Sequence, residues 1–515
     1  MRWIYLYCLG LFLWLPGRTN GQRVIYSESI NTRAPIRFQV IGKSDNFYWV
    51  ARLQPQKTKL RHSQERKIEI QDFELYDNRL HLISEQSPVY IPGTMKQWLM
   101  TGNKGLDQVI TITSGTSTRI FCNHYQSNQT ADSRLIDSLP FPANASSILL
   151  VRSENQKFIL LVAFENTDPE STFAHIHLFD SDWNPVYRKA ISDIQLSQPC
   201  IQDDEIGFPS ESFDNLPVKL ANSGEWGMVF PSRISHHFSL FHACPNGEDY
   251  FFKQITVAPF YKTEDISMSI DNDRQEMTIG LLSSYRNTSL KNVQVCNYSM
   301  REGRFDFDSS YHFNEQARDI RNKNLSHESF ISVPHGGYML LKEYGSSFEF
   351  EKPNIPPLSN WETAYLLANY SEANSGDKEM KPGYKLNRGL SPIPAVRNKG
   401  DLNLFYFPAI SNDSTWSAVL EMEQHAETNN PDLSYLLMPA KNKLYLIYNS
   451  QESSADPLAT TTTLNTRGET TGDALVFWKM DKMLNFQNAR RFTADEVVVP
   501  YLNNQKPGFA IIRLH

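Results

Sequence analysis

The chain has 515 residues, 40% hydrophobic and 21% charged, which places it among globular rather than disordered proteins. A formal net charge of −7 with no clustered basic face gives nothing for a nucleic-acid partner to engage. With 23 Tyr, 30 Phe and 9 Trp the chain is rich in aromatics, which suit pleated, half-buried surfaces and tilt the expectation toward β-structure.

The N-terminus reads as a cleavable secretory signal. Arg2 supplies the positive charge, Trp3 to Leu15 is an unbroken apolar run, and Pro16-Gly17 ends it. That run is shorter than the ~20 residues a transmembrane helix needs. Small residues around Thr19-Asn20-Gly21 place cleavage after Gly21, so residues 1–21 are the signal peptide and residue 22 begins the mature protein. No later stretch reaches ~18 uninterrupted apolar residues, so no transmembrane anchor is expected.

From there a strand–turn–strand phrase recurs, in which a few polar turn residues precede an apolar or β-branched run. Ile36 to Val40, Phe47 to Val50 and Lys67 to Ile70 come first. Trp98 to Thr101, Val109 to Ile112 and Arg119 to Cys122 follow. The clearest unit is Ser147–Val151, the turn Ser153-Glu154-Asn155-Gln156-Lys157, Phe158–Phe164, His175–Phe179, the turn Asp180 to Pro185, and Val186–Ile191. Further copies begin at Asn222-Ser223-Gly224-Glu225, at Asn272 to Glu276, at His335-Gly336-Gly337 and at Lys441-Asn442-Lys443. Four strands joined by hairpins make one propeller blade. The even repeat predicts an all-β chain forming a single β-propeller of seven or eight four-stranded blades over residues 22–515, in preference to two β-sandwiches.

Two stretches interrupt the repeat and are expected to be loop insertions, at about 345–400 and 450–472. The second contains Thr460 to Thr463 and reads as a solvated loop. Near the C-terminus, Glu496–Pro500 and Gly508–Ile512 read as the inner two strands of a last blade, with Arg23–Tyr26 supplying an outer strand. Strands from both termini would thus close the ring and remove exposed edges.

With these residues laid out, the chain resembles secreted propeller-like proteins of Bacteroidota-type bacteria. The resemblance rests on the signal ending Asn20-Gly21-Gln22, on Leu178-Phe179-Asp180 followed by Trp183 and Tyr187, and on Trp416 to Asn449, where a strand with Glu423-Gln424 leads into Leu444–Asn449. The group shows Lys before that Gln and Asp after that Asn, where this chain has Glu423 and Ser450. The resemblance implies a secreted, periplasmic or cell-surface location and no particular activity.

Residues that could carry chemistry are scattered. His236, His237 and His242 lie close in sequence, and His175 and His177 share a strand face, but neither group has a third ligand at a fixed offset, so no metal site is assigned. Cys122, Cys244 and Cys296 fall near strand ends in different repeats, and they and Cys200 are expected to be mainly buried free thiols. Asp180-Ser181-Asp182 and Asp271-Asn272-Asp273 have the oxygens for calcium, though such runs more often make turns. Ser411 to Trp416 resembles the Asp-box hairpin of sialidase-like propellers without its Gly. No GxSxG elbow, HExxH, phosphate-binding glycine loop or EF-hand loop occurs. No catalytic residue or cofactor is therefore assigned.

Propellers bind at a channel mouth or through the loops around it. The 345–400 insertion carries Trp361, Tyr365, Tyr370 and Tyr384, aromatics of the kind recognition loops present to protein or carbohydrate partners. The expected function is an exported, non-enzymatic binding or scaffold propeller. A polysaccharide-acting glycoside hydrolase or lyase is the alternative, requiring paired carboxylates across a cleft. A structural envelope component, requiring a large apolar flank, is the third reading.

Overall fold

The computed structural model describes residues 23–28, 37–57, 66–91, 94–102, 104–127, 129–143, 148–168, 171–194, 206–207, 218–231, 237–245, 250–257, 261–285, 290–314, 324–333, 337–348, 396–409, 415–420, 424–427, 435–440, 443–450, 458–465, 468–469, 475–476, 483–484, 486, 489–491, 496–503 and 506–513. The expected signal peptide, Cys200, His236, Asp413 and the four aromatics Trp361, Tyr365, Tyr370 and Tyr384 lie outside them. Among the described residues no helix is long and apolar enough to cross a membrane.

The segment Phe158–Asp168 shows why the repeat folds as it does. Ile159, Leu161 and Ala163 point to one neighbouring sheet, and Leu160, Val162 and Phe164 point to the other. A strand covered on both faces reads as a continuous apolar run, because successive side chains alternate sides and both sides are dry. Stacking such sheets radially is the propeller solution.

There are eight sheets. The first blade is β2 (Arg37–Ser44), β3 (Phe47–Lys57), β4 (Arg66–Tyr76) and β5 (Leu82–Gln86), after the short β1 (Arg23–Tyr26). The second is β6 (Thr94–Thr101), β7 (Leu106–Ser114), β8 (Ser117–Gln126) and β9 (Gln129–Leu139). The third is β10 (Ile148–Arg152), β11 (Phe158–Asp168), β12 (Ser171–Asp180) and β13 (Pro185–Ile194). A two-residue strand β14 (Ile206–Gly207) then returns to pair in parallel with β6. The fourth blade is β15 (Val218–Leu220), β16 (Trp226–Pro231), β17 (His237–Ala243) and β18 (Tyr250–Thr256). The fifth is β19 (Tyr261–Asp271), β20 (Glu276–Tyr285), β21 (Leu290–Ser299) and β22 (Arg304–Asn314). The sixth is β23 (Asn324–Val333), β24 (Gly337–Phe348), β25 (Val396–Pro408) and β26 (Trp416–Leu420), with β27 (Gln424–Glu427) also on β25. The seventh is β28 (Tyr435–Ala440), β29 (Lys443–Ser450), β30 (Leu458–Asn465) and β31 (Leu475–Val476). The eighth joins β32 (Met483–Leu484), β33 (Arg490–Arg491), β34 (Glu496–Asn503) and β35 (Lys506–Arg513) to β1.

Eight apolar clusters lie between consecutive blades, one to each junction. The last of them packs Phe38, Val40, Tyr48 and Val50 of the first blade on Val498, Phe509 and Ile511 of the eighth. The fold is therefore an eight-bladed β-propeller, the larger of the two expected blade counts.

Three expectations are corrected. Strands β34 and β35 are the middle strands of their blade rather than its inner two, because β32 and β33 pair on the far side of β34 and β1 pairs on the far side of β35. The 450–472 stretch is not one loop, since Leu458–Asn465 pairs in full with β29 as the third strand. Threonine is polar enough to read as loop, but its β-branched side chain favours an extended backbone. The 345–400 stretch is trimmed at both ends, because β24 and β25 remain paired as far as Phe348 and Val396.

Candidate functional site

The turns joining the first and second strands of blades three, four and five meet on one face of the ring. Each is built locally. In the third blade Ser153 Oγ accepts the Phe158 N–H at 3.0 Å, and Asn155 Oδ1 accepts the Lys157 N–H at 3.1 Å. Each turn also needs a residue in the left-handed region: Gln156 (φ 61°), Gly224 (φ 89°) and Gln275 (φ 56°). Gly224 meets a second demand, since a Cβ there would stand 3.3 Å from the Phe158 ring.

Asparagines then tie the turns together. The Asn155 N–H donates to Asn222 Oδ1 at 2.8 Å, and Asn155 Nδ2 donates to the Asn222 carbonyl at 3.1 Å. The Asn222 N–H donates to Asn272 Oδ1 at 2.7 Å, and Asn272 Nδ2 reaches Glu154 Oε2 at 3.0 Å. Three blades thus share one hydrogen-bonded platform. Asn222→Ala leaves the Asn155 N–H without its acceptor and is expected to lower stability by about 1–2 kcal/mol. A shift in the denaturation midpoint at unchanged slope checks this.

A cluster of unlike polar groups sits beside the middle turn. Glu225 ends that turn, and His242 and Cys244 lie at and just beyond the end of β17. The hairpin register Trp226↔Ala243 brings Glu225 opposite Cys244. Residues 242 and 244 share a strand face because side chains alternate with period two. A carboxylate oxygen, an imidazole nitrogen and the thiol sulfur, one from each residue, all lie within 4.8 Å of one another. His242 Nε2 stands 3.8 Å from Glu225 Oε1. Ser223 Oγ donates to Glu225 Oε2 at 2.9 Å, and the Tyr298 hydroxyl from the fifth blade lies 3.3 Å from His242 Nδ1. Tyr187, on the outer strand of the third blade, accepts from Trp226 Nε1.

His242 is fully buried, and burial pushes its pKa down to about 4, so the imidazole is neutral at pH 7. Burial first, and then the charges of Cys244 and Glu225, push the Tyr298 phenol up to about 12. Cys122 and Cys296 are buried thiols as expected, whereas Cys244 is half-buried at the edge of this cluster.

The described histidines of these groupings take separate partners. His237 lies against Thr256 Oγ1 at 3.1 Å, on the opposite strand face from His242. His175 pairs with Glu165 at 2.8 Å. His177 pairs with Asp137, which also accepts from Arg188 at 2.9 Å. Asp107 takes His124 Nδ1 at 2.6 Å and Trp183 Nε1 at 3.1 Å. The pairs made by Asp137 and the Asp107–Trp183 contact join the second blade to the third. The Asp180 carboxylate accepts the N–H groups of Asp182 and Asn184, and Asp271 accepts those of Asp273 and Arg274, which is the turn-making use of such runs. Trp416, from the Asp-box-like stretch, stacks on Tyr406 with ring centroids 5.4 Å apart.

Glu225 was not among the sequence candidates. Its signal is weak: His-x-Cys at a strand end, facing an acid at the first turn of the same hairpin.

No protein-family model and no curated protein matches the chain. Solved structures similar to it include a prolyl endopeptidase, at 8% identity and TM-score 0.36 over 82% of this chain, which spans 47% of that one. A eukaryotic initiation factor is similar at 8% identity and TM-score 0.38, covering 93% of each chain. The β-propeller domain of the Trilobed protease from Pyrococcus furiosus is similar at 10% identity and TM-score 0.33, covering 87% of this chain and 100% of that one.

Proposed function

We propose that the protein is an exported, non-enzymatic binding scaffold that recognises a protein or carbohydrate partner through loops on one face of the propeller. The observation that supports this most is the junction in the sixth blade. Strands β24 and β25, the second and third of the blade, stay paired out to Phe348↔Val396, so the two described ends that flank 349–395 are neighbours in the sheet. That stretch carries Trp361, Tyr365, Tyr370 and Tyr384 with many Asn and Ser, a composition suited to recognition. Export rests on the N-terminal signal.

The test is a glycan-array and surface-polysaccharide binding screen with the protein from residue 22 onward, beside a version in which a short turn replaces 349–395. The expected result is binding that disappears with the segment and no release of reducing ends. Release of reducing ends would make the protein a hydrolase or lyase and overturn the reading.

A further inference from the structure

We propose that Glu225, His242 and Cys244 form a binding site for a borderline-soft divalent transition-metal ion, Zn²⁺ foremost. The donor set comes first. An imidazole nitrogen, a thiolate sulfur and a carboxylate oxygen together match zinc and its neighbours, whereas Mg²⁺ and Ca²⁺ take oxygen alone. Geometry comes second. With metal–ligand bonds of about 2.0–2.3 Å, the edges of a tetrahedral site run to about 3.3–3.8 Å. The Nε2–Oε1 separation of 3.8 Å is within about 0.5 Å of the ~3.3 Å nitrogen–oxygen edge, and all three donors lie within 4.8 Å of one another. Contraction of about 1 Å is within reach of the Glu225 side chain, which is 17% exposed, and of the half-buried Cys244.

The surrounding contacts point the same way. Metal-ligating histidines use the other ring nitrogen to fix their orientation, and ligating carboxylates are themselves hydrogen-bonded. Here Tyr298 faces His242 Nδ1, leaving Nε2 toward the acid, and Ser223 holds the Glu225 oxygen that faces away from the histidine. His242 is anchored in the sheet between Gly227 and Phe251, so one donor is fixed before any ion arrives. Three protein donors leave a fourth tetrahedral position for water or an exogenous ligand. The site lies next to the asparagine platform, at the junction of blades three, four and five. A bound ion there would tie the Glu225 turn to β17.

The experiment uses the full chain kept reduced, stripped with a chelator and titrated with Co²⁺ and then Zn²⁺. The expected result is one Co²⁺ per chain, with a sulfur-to-cobalt charge-transfer band that Zn²⁺ abolishes by displacement. Cys244→Ser is expected to remove the band. Glu225→Gln is expected to weaken binding by at least the ~10–100-fold seen for outer-shell changes. Ser223→Ala, an exposed turn substitution that should leave the fold intact, is expected to weaken binding ~10–100-fold while keeping the band. Absence of the band in the unmodified chain, or a band that survives Cys244→Ser, would overturn the proposal.

Discussion

Truncating the chain after Gln505 is expected to abolish soluble, folded protein. The deletion removes β35, which lies in the middle of its sheet with β34 on one side and β1 on the other. Its side chains also serve two blade junctions. Ala510 and Ile512 pack between blades seven and eight, while Phe509 and Ile511 pack between blades eight and one. Fully burying one large apolar side chain contributes roughly 1.5–3 kcal/mol. Losing three of them, together with two ladders of backbone hydrogen bonds, is comparable to the ~5–15 kcal/mol by which a whole domain is stable. The two strands left behind would present unpaired edges, which template aggregation. A milder version separates packing from pairing: Ile511→Ala keeps the backbone ladder and is expected to lower stability by about 2–5 kcal/mol. Soluble yield and denaturant titration read both. A truncated chain that stays soluble with an unchanged midpoint would show that the ring does not depend on its last strand.

Glu496→Gln is expected to give the next largest loss and to change its dependence on pH. Glu496 stands at the start of β34 and gathers three groups at 2.8 Å each: Lys43 Nζ and the Tyr48 hydroxyl from the first blade, and Arg513 Nε from β35. Its carboxylate is 8% exposed, while the two cations are about a quarter exposed. Breaking a buried pair by removing one partner typically costs about 3–5 kcal/mol. The cations here can turn toward water, so about 2–3 kcal/mol is expected for the amide. Burial alone would raise the Glu496 pKa, but the hydrogen bonds from Lys43, Arg513 and Tyr48 outweigh it and hold the group below its ordinary value. A carboxylate depressed in the folded state contributes stability above its unfolded pKa of about 4.3, and that contribution is lost as pH falls through the folded value. The unmodified protein should therefore lose stability between pH 5 and lower values more steeply than the Gln variant. Equal acid limbs in the two proteins would count against this role for Glu496.

The sequence was most legible where local chemistry and tertiary burial ask for the same residues. Phe158–Phe164 could be read as a strand because an unbroken apolar run of that length bounded by turn residues has few other uses. The turns at Asn155, Asn222 and Asn272 were legible for a similar reason, since Ser, Asn and Gly serve the turn itself. The two were confused at Leu458–Asn465, where four threonines are polar enough for a loop and branched enough for a strand, and pairing with β29 decides between them. The inner edge of the eighth blade was missed because β32 and β33 are two residues each, too short to carry a period.

What the sequence determined by itself is the blade: four strands, their turns and the alternation that dries both faces. Each of these is set within a few residues by backbone preference and side-chain period. What only the tertiary structure decided is which blades touch and which polar groups meet there. Asn155 finds Asn222, Glu496 finds Lys43, and Tyr298 finds His242 through blade stacking. Those distances depend on how whole sheets pack against one another, and no spacing along the chain encodes them.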